Sequence, residues 1–292
     1  MGTNQTIGPL ILSVVLWGAN FNLSQPALAE LHPLAAGAGR FVIAAAIMLA
    51  LAAARRERVP LLRHARAYVP LGLVGIAGFN VFFFFGLQST SPVNGALIQA
   101  TNPLVTALLA ALFLGERPGR RQLLAFPVAL AGVAVVLLGG GASLALRPGD
   151  SLILAANLCW AAYNVMARRM MPAESGIANT AALMVVGAVL LSVAALVMDV
   201  PLPVPGPAAA GAVLVMGLGG TVLSYLFYNA ALARLGAGKT ALFLNLVPIV
   251  AMVIAALTGA PPTLLQVAGG LVTIGAVTVA MLPARRRQTE AA

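Results

Sequence analysis

From residue 7 to residue 282 the chain reads as long apolar stretches broken by brief polar or proline-bearing turns. The stretches lack the two-residue alternation of a strand. Each has about the length of helix, roughly 20 residues at 1.5 Å apiece, that crosses a hydrocarbon core about 30 Å thick. Ten helical spans are predicted, at 7–24, 33–54, 68–88, 92–114, 122–141, 150–168, 176–197, 207–230, 238–259 and 264–282. The punctuation between them is Glu30-Leu31-His32-Pro33, Arg55-Arg56-Glu57-Arg58, Arg117-Pro118, Arg168-Arg169 and the proline-rich run from Pro201 to Pro207. A membrane barrel would alternate apolar and polar residues in segments of about ten. Helices satisfy their own backbone groups in lipid, so the expected fold is an all-α polytopic membrane protein.

The pattern also repeats. Val15-Leu16-Trp17 parallels Leu158-Cys159-Trp160 at an offset of 143, and Gly115, Pro118 and Gln122 parallel Gly259, Pro262 and Gln266 at 144. Pro103 parallels Pro248 at 145. Two units follow, 1–145 and 146–292, of five spans each. Five is odd, so the second unit enters the membrane from the side opposite the first, and the repeats point in opposite directions. Transporters use this architecture to exchange inward-open and outward-open states around a midplane site.

Composition sharpens this picture. Hydrophobic residues are 61% of the chain and charged residues 8%, against about 25% charged in soluble domains; the mean hydropathy is +0.98. The net charge of +10 would suit nucleic acid, but its distribution does not. Arg55, Arg56, Arg58, Arg63, Arg66, Arg117, Arg120, Arg121, Arg168, Arg169, Arg234, Lys239, Arg285, Arg286 and Arg287 fall in alternate connections, all on one side of a ten-span protein. Only Arg147 falls outside the membrane on the other side. The positive-inside rule then puts both termini in the cytoplasm. The first span reads as retained rather than as a cleaved signal, because Met1 to Thr6 carries no Lys or Arg. Cys159 is the only cysteine and His32 and His64 the only histidines, so no metal site or cofactor is expected.

Candidate chemistry lies on helix faces. Trp17, Asn20, Phe21 and Ser24 share a face of span one with Ser13; Asn157, Trp160 and Asn164 share one of span six, with Tyr163 beside them. Gln99, Asn102 and Thr106 share a face of span four, and Thr221, Ser224, Tyr225 and Tyr228 one of span eight. Span three carries Phe79-Asn80-Val81-Phe82-Phe83-Phe84-Phe85, in which Phe79, Asn80 and Phe83 match Ser224, Tyr225 and Tyr228 at an offset of 145. Such groups are expected to face the bundle interior or water, and aromatic walls suit apolar side chains or ammonium groups. Interhelical hydrogen bonding is the competing reading for each residue. Arg40 stands about 10 Å inside span two, where it can receive a substrate carboxylate or snorkel to the surface. Pro103 and Pro248 sit inside spans four and nine as candidate hinges. The acids Glu30, Glu57, Glu116, Asp150, Glu174, Asp199 and Glu290 all lie in loops or at span ends. Without a buried acidic relay, passage down the substrate's own gradient is expected.

Leu16-Trp17-Gly18-Ala19-Asn20-Phe21, Arg40-Phe41, Asn102-Pro103-Leu104, Leu114-Gly115-Glu116-Arg117-Pro118 and Trp160-Ala161-Ala162-Tyr163, in this order, resemble the drug/metabolite transporter superfamily in its EamA branch. The chain is most similar there to the aromatic amino-acid exporter (YddG-type) group. One departure is Gly259-Ala260-Pro261-Pro262, where the pattern allows a second Gly-Glu-x-Pro. The resemblance implies a ten-helix inner-membrane exporter of amino acids or other small amphiphilic metabolites, with the lipid bilayer as its partner, no nucleic acid and no required oligomer. The alternative is efflux of drugs or cationic metabolites on the same fold. An intramembrane enzyme is disfavoured, because no paired catalytic residues or metal cluster stand out in the sequence.

Overall fold

The computed structural model describes residues 3–90, 95, 98–116, 118–139, 147–257, 259 and 261–281, without the side chains of 3–5, 21, 22, 25, 87, 255 and 281. The described residues form ten helical rods and no strand. We label them α1 (Thr3–Glu30), α2 (Pro33–Ala54), α3 (65–89), α4 (Asn102–Leu114), α5 (Arg120–Leu138), α6 (Asp150–Met170), α7 (Gly176–Val197), α8 (Pro207–Leu235), α9 (237–257) and α10 (Leu264–Met281). Six stretches are long and apolar enough to cross a membrane: Pro33–Ala54, Ala65–Gly86, Arg120–Leu138, Gly176–Val197, Pro207–Leu235 and Ala237–Ile254. Shorter apolar helices lie at Thr6–Asn20, Ile98–Leu114 and Leu264–Ala280. The chain is a multi-pass membrane protein. Helix α6 falls outside both groups because it carries Asn157, Asn164, Arg168 and Arg169 within 21 residues.

Three rods are not uniform. Helix α3 passes through a π-helical segment, Leu73–Gly78, and α8 through another, Met216–Leu223. Helix α9 tightens to a 3₁₀ turn at Phe243–Leu246 before Val247–Leu257. The prolines explain part of this. Pro103 is the second residue of α4, just after a turn at Thr101, and Pro248 is the second residue of Val247–Leu257. Proline has no N–H to donate, so each tolerates the first turn of a helix and interrupts the ladder that would run through it.

Packing joins the two halves of the chain rather than separating them. Helix α1 lies against α8 and α9, α6 against α3 and α4, and α2 against α7 and the π segment of α8. The core they enclose holds Phe41, Tyr68, Tyr163 and Tyr228, all fully buried. Helices α5 and α10 pack on one another, with Gly132 against Thr273 and Gly269 admitting the close approach. Their outer faces expose Leu124, Leu265 and Leu271, as suits contact with lipid. Their starts are capped alike: Gln122 Oε1 accepts from Gly119 N at 3.1 Å, and Gln266 Oε1 from Thr263 N at 2.9 Å. These satisfy amide donors that the first helical turn cannot.

Candidate functional site

The site begins where α1 crosses α8 and α6 crosses α3. At both crossings a glycine of the π segment removes the side chain that would hold the helices apart. A Cβ on Gly220 would fall on the Asn20 amide, and a Cβ on Gly75 would collide with the Tyr163 side chain at its Cδ2. Asn20 and Tyr163 stand 143 residues apart, Gly75 and Gly220 145 apart, so the two contacts correspond. A π turn adds a residue to the helix and turns the following side chains about its axis. It thereby aims Phe79 on α3 toward α6, Asn80 toward Arg40 of α2, and Ser224 and Tyr225 on α8 toward α1.

The aromatic residues meet in one cluster. The Trp17 and Trp160 rings are edge-on at 5.6 Å. Tyr228 lies 5.0 Å from Trp17 and 5.7 Å from Trp160, and Tyr225 lies 6.1 and 5.7 Å from the same rings. Tyr163 tilts against Trp160 at 5.1 Å. Phe79 closes the other side at 5.4 Å from Trp160 and stacks on Phe83 at 5.4 Å. Edge-on and tilted pairs of this kind contribute about 0.5–1.5 kcal/mol each beyond area burial. Trp17 Nε1 donates to the Gly220 carbonyl at 2.8 Å, and Ser13 and Ser224 each donate a hydroxyl to the other's carbonyl, at 3.2 and 3.4 Å. Tyr163 Oη donates to Asn229 Oδ1 at 2.7 Å.

Arg40 and Asn80 sit beside the rings. The guanidinium donates to Asn80 Oδ1 at 3.0 Å and lies 5.2 Å from the centre of the Phe41 ring, which is itself 6.1 Å from Tyr225. Arg40 Nε and Asn20 Oδ1 are buried without a hydrogen-bond partner. The helix-face reading did not single out Phe41, although it lies next to Arg40 and links it to Tyr225.

Other predicted residues do something different here. Asn102 donates to Asn157 Oδ1 at 2.6 Å, Thr106 to Asn102 Oδ1 at 3.0 Å and Asn164 to Thr106 at 3.3 Å, while Asn157 reaches Thr101 and the Ile98 carbonyl. This ladder binds α4 to α6, as the packing alternative anticipates for these side chains. Gln99 is half-buried just before the turn at Thr101. The Phe21 side chain lies outside the described residues.

An open cleft of about 310 Å³ lies between the ends of α4, α6 and α8 and the start of α9, lined by Glu116, Gln122, Arg168, Arg234 and Lys239 among others. Glu116 pairs with Arg168 at 3.5 Å and accepts from Ala237 N at 3.1 Å, at the Gly236 joint where φ is +85°. Sequence reading marked these basic residues for topology and missed that three of them share a cleft. Periodicity cannot reveal this, because they come from different helices. The π segments did leave a trace, the glycine series Gly72-x-x-Gly75-x-x-Gly78 and Gly217-x-Gly219-Gly220.

The EamA-like transporter family model matches residues 6–138 and again 147–282. The chain is 38% identical over 273 residues to the uncharacterized transporter YyaM of Bacillus subtilis, covering 90% of each. It is 29% identical over 162 residues to the aromatic amino acid exporter YddG of Ancylobacter novellus, covering 54% of this chain and 56% of that protein. A solved crystal structure superposes with a TM-score of 0.87 over 99% of this chain and 100% of the other, at 21% identity. This last likeness speaks to the fold alone.

Proposed function

The chain belongs to the EamA-like transporter family, and from that premise we propose that it exports amino acids, aromatic ones or other small amphiphilic metabolites, by alternating access. In this reading α1–α5, residues 1–145, and α6–α10, residues 146–292, are inverted repeats. They cross the inner membrane ten times and leave both termini in the cytoplasm. The observation that carries the reading is the ring cluster built at the paired crossings, where the first helix of each half meets the third helix of the other. Rings at such a junction change neighbours when the halves rock, so substrate contacts differ between the two states, as alternating access requires. The direction comes from the relatives, one of which is named an exporter of aromatic amino acids. Transport runs down the substrate's own gradient, since among the described residues every carboxylate lies at a helix end or in a loop. Pro103 and Pro248, each at a break in a rod, serve as the hinges.

Counterflow of labelled amino acids in proteoliposomes tests this. Trp17→Ala is expected to lower flux by about tenfold or more, through loss of ring contacts on either side of the site. Gln99→Ala is expected to lower it less, with the protein still folded. Unchanged flux in both variants overturns the assignment of the site. A proton gradient is expected to leave the wild-type rate unaltered; stimulation overturns the facilitative reading.

A further inference from the structure

Arg40 is a cation held beside the ring cluster with no counter-charge. Among the described residues its one hydrogen bond is to the neutral Asn80, and its Nε is closed off from solvent without a partner. Among the described residues no ion pair reaches Arg40; those of His64 with Glu174 and Arg168 with Glu116 lie elsewhere. Removing an ion from water costs several kcal/mol unless a partner restores it, and a neutral amide and a ring face restore only part. The position 143 residues on, in α7, is Leu183, which is fully buried, so α7 packs there without a charge. The open cleft adds an independent observation: among the described residues that line it, Arg168, Arg234 and Lys239 stand with one acid, Glu116. A cleft of positive balance concentrates anions and repels simple cations.

We propose that the transported solute supplies the missing charge. A carboxylate on the solute seats on Arg40 and is required, whereas an ammonium group contributes far less. The ammonium finds only neutral partners, the ring faces and Asn20 Oδ1, a buried acceptor without a donor at the α1–α8 crossing. The apolar part of the solute lies against Trp17, Trp160 and Tyr225. This specifies the substrate class of the amino-acid reading and rests on it.

The two tryptophans of the chain, Trp17 and Trp160, both belong to the cluster. Intrinsic tryptophan fluorescence of the purified full chain therefore reports the site directly. Three probes divide the question: phenylalanine, 3-phenylpropanoate, which lacks the amine, and phenethylamine, which lacks the carboxylate. Phenylalanine and 3-phenylpropanoate are expected to bind within about tenfold of one another, and phenethylamine at least about tenfold more weakly than either. Arg40→Gln is expected to weaken both carboxylates by about tenfold or more. Asn80→Asp keeps Arg40 and places a fixed carboxylate on it, so it is expected to exclude the carboxylate probes equally while the protein stays folded. This second variant decides the matter if Arg40→Gln does not fold. Phenethylamine binding as tightly as 3-phenylpropanoate, unchanged carboxylate binding in Asn80→Asp, or no response to any probe overturns the proposal. A response to phenylalanine but not to 3-phenylpropanoate also overturns it and leaves amino-acid export standing. Loss of amino-acid counterflow in the wild type would instead remove the underlying function.

Discussion

The two crossings share a backbone device and differ in what they leave unfinished. At α6 on α3, Tyr163 fills the space over Gly75 and its hydroxyl is bonded to Asn229. At α1 on α8, Asn20 occupies the space over Gly220, its Oδ1 has no partner, and the unpaired Arg40 packs on the same π segment through its backbone against Gly217. At the first crossing the group over the glycine is bonded, although Asn164 Oδ1 and Asn229 Nδ2 nearby have no partner. At the second, Trp17 and the Ser13–Ser224 pair bond the helices, but the Asn20 Oδ1 over the glycine has no donor, which is costly unless a ligand supplies one. Both crossings stand on the same scaffold, a π segment with a glycine facing the crossing helix. The division of labour comes from a few side chains, with Tyr against Asn over the glycines and Leu183 against Arg40 on the flanking helices.

The sharpest way to break the comparison is to fill each glycine. In Gly75→Ala the new methyl meets the body of Tyr163, with even its Cβ only 2.7 Å away, so helix or ring must move. A loss of about 2–3 kcal/mol is expected. In Gly220→Ala the methyl meets the amide end of Asn20, a short side chain with an unbonded oxygen that can swing aside. A loss under about 1 kcal/mol is expected, within the range for a methyl that neighbours accommodate. Heat-induced exposure of Cys159, the only thiol of the chain and half-buried on α6, measures both in detergent. Equal losses would mean that the crossings are mechanically alike.

Polar substitutions come next in size. Tyr163→Phe leaves Asn229 Oδ1 buried without its donor and is expected to cost about 1–3 kcal/mol. Asn20→Leu removes an acceptor that has no donor, so stability is expected to be unchanged or slightly raised while flux falls. If Asn20→Leu destabilises as much as Tyr163→Phe, the α1–α8 crossing is structural and the asymmetry carries no function.

Much of this was legible in the chain. Apolar run lengths foretold helical rods; the 143-residue offset paired Trp17 with Trp160 as equivalent positions without saying that the two rings would touch, as they do. Helical periodicity placed Asn102 and Asn164 on inward faces, but an inward polar group looks the same whether it meets substrate or a neighbouring helix. Only the partner decides, and here Asn102 and Asn164 bond into the α4–α6 ladder. The π segments were hidden for another reason. An i to i+5 ladder is set by the helices packed against it, and glycine spacing records the close approach without the change of hydrogen-bond pattern.

The crossing helices also end alike, and here the smallest effects are expected. Glu30, the last residue of α1, accepts from Gly206 N at 2.7 Å, just before α8 begins. Glu174, four residues past the end of α6, pairs at 3.0 Å with His64, just before α3 begins. Each acid therefore ties a crossing helix to the start of the rod that it crosses, one through a backbone amide and the other through an imidazole. Glu30 faces the positive end of a helix dipole, worth about 0.3–1 kcal/mol. Glu174 and His64 are each about a third exposed, at 31% and 28%, so solvent screening holds their pair to about 0–1 kcal/mol. Glu30→Gln keeps an amide oxygen for the Gly206 N–H and should lose only the charge; Glu174→Gln likewise retains a hydrogen bond to His64. Both are expected to shift Cys159 exposure on heating by less than about 1 kcal/mol, with Glu30→Gln the larger. A loss beyond about 2 kcal/mol in either would assign the work of joining the halves to their ends, and the glycine contacts over Asn20 and Tyr163 would then no longer be what sets the two crossings apart.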